Sequence, residues 1–106
     1  MRYHRSMTTL LSNNQTRHLR SLGHHLQPVV RIGQHGIHKN VLEELDIALD
    51  SHELIKIKIV ADKASRQEMI GALITQSSAQ LVQHIGQVVL IFRRNQENPK
   101  VVLPSK

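Results

Sequence analysis

The 106-residue sequence has no cysteine and no tryptophan, and only one tyrosine and one phenylalanine. Without cysteine there is no disulfide framework, no thiolate metal centre and no cysteine nucleophile. An ordinary reducing cytosol suits such a chain. With Tyr3 and Phe92 as the only aromatic residues, no set of rings exists on which successive bases could stack, as they do in RRM and OB-fold proteins. No apolar run approaches the length of a membrane span, and Met1-Arg2-Tyr3-His4-Arg5-Ser6 is not followed by the apolar segment of a signal peptide. The expectation is a soluble cytoplasmic protein of one domain with a modest core. Residues 1–11 read as a flexible N-terminal extension, in which 1–6 look appended and Met7 is a plausible natural start. The domain proper is expected over 12–104.

Acid is also missing, but locally. Six cations (Arg2, Arg5, Arg17, Arg20, Arg31, Lys39) and six histidines precede Val41 without one Asp or Glu. Glu43, Glu44, Asp46, Asp50 and Glu53 then follow with no Lys or Arg among them, and from Leu54 onward cations again outnumber acids. The formal net charge of +6 is therefore segregated along the chain. A basic stripe suits a polyanion, and nucleic acid fits better than a membrane surface because no basic amphipathic helix carries large aromatic anchors.

What is present centres on the stretch from Val29 to Val41. A short β-rich run enters a loop, Gly33-Gln34-His35-Gly36, and a helical pattern starts directly after it. Such a junction offers free backbone N–H groups and the positive end of a helix dipole to an anion. Arg31, His35, His38 and Lys39 surround the turn, and no carboxylate lies within it. No Lys-Ser or Lys-Thr follows, so this is not a Walker loop, and the third glycine of a dinucleotide fingerprint is absent. Nucleotide-cofactor use is thereby disfavoured, and no cofactor or small-molecule substrate is expected. KH domains clamp a nucleic-acid backbone with a Gly-x-x-Gly loop between two helices, whereas this loop joins a strand to a helix. Plain turn glycines are the competing reading.

The histidines are the only invitation to catalysis. His24-His25 and His35-x-x-His38 could supply imidazoles, yet the first forty residues hold no carboxylate to complete or orient a metal site. Surface imidazoles adding partial charge near phosphate is the better reading. Glu43, Asp46 and Asp50 at helical steps read as a solvated face. The chain is expected not to be an enzyme.

Periodicity gives the order α-β-α-β-α-β-β. Ser12 is placed to cap a helix from Asn13 toward Leu26, which Gly23 weakens and can end early. Val29–Ile32 is the first strand, and His38–Ser51 the best helix, with Val41, Leu45, Ala48 and Leu49 on one face. Leu54–Val60 alternates Ile55, Ile57 and Ile59 against Lys56 and Lys58, which predicts a sheet covered on one face only. Ser65 and Glu68 fit a capping box for a helix running to Ser78 with Met69, Ile70, Leu73 and Ile74 inward. Gly71 in its middle is tolerable if the helix packs closely on the sheet. Leu81–Ile85 and Val88–Arg93 form a hairpin around Gly86-Gln87, a Gly-first pair suited to a type II′ turn. Two strand-helix-strand units require right-handed crossovers and parallel neighbours, so the fold class is α/β, with a four-stranded mixed sheet packed with helices. The tail from Asn95 is expected to lie against the body.

The run Leu26-Gln27-Pro28-Val29-Val30-Arg31-Ile32-Gly33-Gln34-His35-Gly36, then Val41-Leu42-Glu43-Glu44-Leu45, Ala48-Leu49 and His52-Glu53-Leu54-Ile55-Lys56-Ile57-Lys58-Ile59, closely resembles the YhbY-like RNA-binding proteins. These are the bacterial stand-alone form of the CRM (chloroplast RNA splicing and ribosome maturation) domain. The resemblance covers about Ser12 to Pro104 and includes the Ile85-Gly86 hairpin and Leu90-Ile91-Phe92-Arg93. It implies a fold similar to the C-terminal domain of translation initiation factor three, RNA binding through the Gly-x-x-Gly loop, and association with precursors of the large ribosomal subunit. Carried over by position, Gly33, Gln34, His35 and Gly36 are the loop, with Arg17, Arg20, Arg31 and Lys39 as its cationic surroundings. His38 and, as second-tier contacts, Lys56 and Lys58 complete the RNA-binding set. Family members often have more lysine in the first helix, and often a small polar residue where His35 stands. The alternatives are a DNA-binding architectural protein of similar shape and a histidine-metal enzyme.

Overall fold

A computed structural model describes residues 10–106. The elements are α1 (Asn13–Gly23), β1 (Pro28–Ile32), α2 (Lys39–His52), β2 (Leu54–Ile59), α3 (Lys63–Ser77), β3 (Gln80–Ile85) and β4 (Val88–Phe92). The predicted order stands. Most of the expected N-terminal extension lies outside the described residues, although Leu11 is ordered against the body, its N–H donating to Gln80 Oε1 at 3.1 Å.

The four strands form one sheet in the order β1-β2-β4-β3. β1 and β2 are parallel, while β4 is antiparallel to both of its neighbours. The second crossover therefore does not end beside β2, as two parallel neighbours would require. It skips one position, and the return strand of the hairpin fills the gap. β4 reads Val88-Val89-Leu90-Ile91-Phe92, apolar at every position, so it gains most from a central place with both faces covered.

Alternation along the strands sorts the core into two clusters. Val30, Ile32, Ile55, Ile57, Ile59, Val89 and Ile91 face Leu45 and Leu49 of α2 and Ile70 and Leu73 of α3. On the opposite face Leu54, Val82, Leu90 and Phe92 meet Leu19 of α1, with Leu26, Val101 and Leu103 packed alongside. Burial of each isoleucine of β2 contributes about 1.5–3 kcal/mol. The expectation of a sheet covered on one face only is thus corrected. α1 and the C-terminal tail cover part of the second face, and Lys56 and Lys58 remain half-buried beyond them.

Helix ends follow local chemistry. Ser12 caps α1 in a capping box with Gln15, the Gln15 N–H donating to Ser12 Oγ at 3.1 Å and the Ser12 N–H to Gln15 Oε1 at 3.0 Å. At its last residue, Gly23, α1 touches the sheet. A Cβ on Gly23 would stand 2.4 Å from Leu90 Cδ2. α3 is capped not by Ser65 but by Asp62, whose Oδ1 accepts from the Ser65 N–H at 2.9 Å. Ser65 is the third residue of that helix, and its own N–H is the donor that Asp62 caps. Gly71 does not pack closely on the sheet either, since it is exposed and no atom lies within 4 Å of where its Cβ would be. Between β3 and β4, Gly86 has φ +58 and Gln87 an ordinary negative φ, as a type II′ turn requires.

Candidate nucleic-acid interface

Because β1 and β2 are adjacent and parallel, their two strand-to-helix junctions open side by side at the carboxyl end of the sheet. That end is where α/β folds place ligands. The Val60 N–H donates to Ile32 O at 2.8 Å, joining the junctions, and the Ile59 N–H donates to Gln87 O at 2.7 Å, bringing the β3–β4 turn to the same end.

The Gly33–Gly36 loop is a tight turn closed by the Gly36 N–H donating to Gly33 O at 3.1 Å. This removes the Gly36 N–H from the expected set of anion donors. Gly36 has φ +91, a conformation that L side chains rarely adopt, while Gly33 is free of that constraint and a Cβ there would meet nothing within 4 Å. Gln34 and His35 form the exposed apex. α2 begins directly behind. Its N-cap, His38, makes no side-chain cap bond, and its first turn contains no acid. The first internal bond runs from the Leu42 N–H to His38 O at 3.1 Å, so the N–H groups of Lys39, Asn40 and Val41 point outward without helical partners.

Asp62 links the loop to α3. Its Oδ2 accepts from Gln34 Nε2 at 3.2 Å and from Ser65 Oγ at 3.1 Å, while Oδ1 holds the Ser65 N–H. The Ser65 backbone N–H first, then the Gln34 amide and the Ser65 hydroxyl, hold the Asp62 carboxyl below its ordinary value of 3.8.

The cations divide into two groups. Arg93 is bonded to Asp46 at 2.8 Å, to Asp50 at 2.9 Å and to Ser77 O at 2.8 Å, and Arg94 to Glu53 at 3.0 Å and Val101 O at 2.7 Å. Arg66 donates to Ala61 O at 2.8 Å. In contrast, the side chains of Arg17, Arg31, Lys39, Lys56, Lys58 and Lys63 have no hydrogen-bond or ion-pair partner among the described residues. Arg31 and Lys58 are opposite each other in the β1–β2 register. Their neighbours Val30, Ile32, Ile57 and Ile59 point into the first core cluster, so Arg31, Lys58 and Lys56 share the other face, in a row leading to the loop. Arg20 departs from this grouping. Its Nε donates to Val82 O at 3.1 Å on β3, the edge of the sheet farthest from β1.

Among the described residues no three His, Asp or Glu side chains come together as a metal site would need. His24 and His25 meet edge to face with ring centroids 6.0 Å apart. Glu43, Asp46 and Asp50 are exposed, as a solvated face requires, and Arg93 additionally pairs with the two aspartates.

Two residues escaped the sequence reading. Asp62 was legible as Asp-x-x-Ser before a helix but was masked by the competing Ser65-x-x-Glu68. Glu53 is fully buried, at φ +65, and its carboxylate accepts from Arg94, from the Asn95 N–H, and from the Lys100 and Val101 N–H groups at 2.7 Å each. Nothing in a Leu-Asp-Ser-His-Glu run marks one of its acids as buried.

A family model for the CRS1 / YhbY (CRM) domain matches residues 11–93. An RNA-binding protein of Haemophilus influenzae is 41% identical over 99 residues, 92% of this chain and 99% of that protein. The probable RNA-binding protein YqeI of Bacillus subtilis is 33% identical over 96 residues, 90% of this chain and all 100% of its own. The solution structure of a hypothetical Staphylococcus aureus protein proposed to bind RNA superposes with a TM-score of 0.76 at 34% identity, covering 90% of this chain and 100% of that one.

Proposed function

The chain belongs to the CRS1/YhbY (CRM) domain family, and we propose that it is a non-catalytic RNA-binding protein that engages structured ribosomal RNA during large-subunit assembly in the cytoplasm. The observation that carries the reading is the uncapped N-terminus of α2 behind a two-glycine turn, flanked by cations that no acid of the described chain engages. A phosphate sits in front of the Lys39–Val41 N–H groups and the loop apex, Gln34 and His35. His38 and Lys39 add charge beside it, and Arg31, Lys58 and Lys56 extend the contact along the open part of the sheet. Arg17 and the terminal nitrogens of Arg20 contribute from α1. The relatives named for RNA binding support the choice of ligand. With Phe92 buried, no Phe, Tyr or Trp ring of the described residues is exposed on this face, so the backbone of a folded RNA fits better than splayed bases.

Gly33→Asp is the decisive substitution, because Gly33 has room for a side chain and no positive φ to strain, whereas Gly36→Asp would confound charge with backbone strain. Gly33→Asp should abolish binding of large-subunit ribosomal RNA fragments in a filter assay, with Gly33→Asn retaining part of it and both unfolding like the parent. Undiminished binding by Gly33→Asp removes the loop from the site. Competition with duplex DNA in the same assay discriminates the architectural DNA-binding reading, which predicts equal or better competition by DNA. Crosslinking in cells with sequencing of the bound RNA tests the ribosomal assignment.

A further inference from the structure

Two parallel-strand junctions lie side by side at the carboxyl end of the sheet, and each starts a helix with free N-terminal N–H groups. Electrostatically the two are near twins, but they are finished differently. α3 has its own carboxylate: Asp62 fills the cap, holding the Ser65 N–H at 2.9 Å and Ser65 Oγ at 3.1 Å. α2 has no side-chain cap and no acid in its first turn. The same Asp62 Oδ2 reaches across the junction to Gln34 Nε2 at 3.2 Å, at the apex of the Gly33–Gly36 turn. Apart from this bond, the turn is closed by a single backbone hydrogen bond between its two glycines. Glycines give the turn more freedom to lose than any other residue, so an external tether to its apex has an entropy to remove.

We propose that Asp62 is a positioning residue for RNA binding: it blocks the α3 N-terminus as an anion site and, through Gln34, holds the loop apex in front of the open α2 N-terminus. This rests on the loop-centred RNA-binding reading given above. Asp62 touches no phosphate. It directs the phosphate to one of two adjacent helix ends and fixes the frame that receives it. Simple charge bookkeeping gives the opposite expectation, because a carboxylate beside a phosphate site repels the ligand and removing it should tighten binding.

Asp62→Ser separates the two. Serine is as good an N-cap as aspartate, so α3 keeps its start, but its hydroxyl is too short to reach Gln34 while also holding the Ser65 N–H. In filter binding to fragmented large-subunit ribosomal RNA at fixed salt, Asp62→Ser should weaken affinity by about three- to tenfold, the equivalent of one hydrogen bond. This loss should occur despite the removal of one negative charge. Gln34→Ala, which removes an apex side chain as well as the tether, should weaken binding at least as much, and the double variant should be no worse than Gln34→Ala alone, since both cut the same tether. Amide exchange of His35 should quicken in each. Unchanged or tighter binding by Asp62→Ser overturns the proposal, as do additive losses in the double variant. Gly33→Asp in the same series keeps the two levels apart. If it abolishes binding while Asp62→Ser binds unchanged or more tightly, only the positioning role fails; if it binds normally, the loop-centred reading itself fails.

Discussion

Glu53 shows how much one side chain can organise. It has no exposed surface, yet every donor its carboxylate needs is supplied, three of them backbone N–H groups of the segment after β4. A buried carboxylate is tolerated only when paired and hydrogen-bonded in this way. The donors come from the tail, so Glu53 fixes the chain from Asn95 to Val101 to the end of α2, and Val101 and Leu103 can then cover the second face of the sheet. Glu53→Ala should cost about 3–5 kcal/mol in urea unfolding, because it strands Arg94 and the three N–H groups together. Gly23 makes a second case at this scale. An alanine in an exposed helix stabilises, but here its Cβ would stand 2.4 Å from Leu90 Cδ2. Gly23→Ala should therefore destabilise by about 1–3 kcal/mol, measured by thermal melting. Asp62 adds a pH dependence whose sign is fixed by the direction of its shift. Its carboxyl is held below 3.8, so the cap and the tether to Gln34 are intact above that value and are lost as pH falls through the lower folded value. The Ser65 amide and the Gln34 side-chain amide should titrate together below pH 3.8 in NMR spectra, as the Asp62 carboxyl is protonated.

Among the elements, periodicity did what hydrophobic patterning can do. The steps of Leu45 and Leu49 in α2, of Ile70 and Leu73 in α3, and of Ile55, Ile57 and Ile59 in β2 are buried as their spacing predicts. Boundaries and partners were harder. Two cap signatures overlapped before α3, and which of them wins depends on how the chain leaves β2, since Asp62 also has Gln34 to hold. Gly71 looked like a packing glycine and is not, because α3 turns that side to solvent. Gly71→Ala should consequently stabilise the protein by about 0.5–1 kcal/mol, opposite in sign to Gly23→Ala, and the pair measured by the same melts tests the assignment of both faces. The loop was legible as a turn. That its Gly36 N–H is spent on closing the turn, leaving the anion site to the apex and to α2, was not, because a Gly-x-x-Gly spacing does not say which φ each glycine adopts.

At the scale of the whole molecule, the acids paired with Arg93 and Arg94 stand a strand's length from the loop. β2 has six residues, which at about 3.3 Å each put its two ends about 20 Å apart. Asp46, Asp50 and Glu53 are neutralised by Arg93 and Arg94 toward one end, and the loop with its free cations lies at the other. That distance exceeds the screening length of about 8 Å at physiological salt, so the acids do little to cancel the field at the basic end. RNA affinity should fall by about 0.7–0.9 log units per phosphate contact for each log unit of salt, and Lys58→Ala should lower that slope by about one contact. Arg93→Ala, which removes an equal charge from the acidic end, should leave the slope unchanged. A flat salt response would overturn the electrostatic account.

By itself, the sequence determined the kinds of element, their order, the inward faces of α2, α3 and β2, and the absence of cysteine and aromatic chemistry. These are properties of neighbours along the chain, set by side-chain type and by the periods of helix and strand. Tertiary structure decided which strand stands beside which, because a crossover and a hairpin compete for the same edge of β2 and only burial of the fully apolar β4 settles it. It also decided which cations are free. Arg93 and Arg31 have the same side chain, but one meets two aspartates from a helix more than forty residues away and the other meets none, and no local pattern encodes a pairing made across the fold.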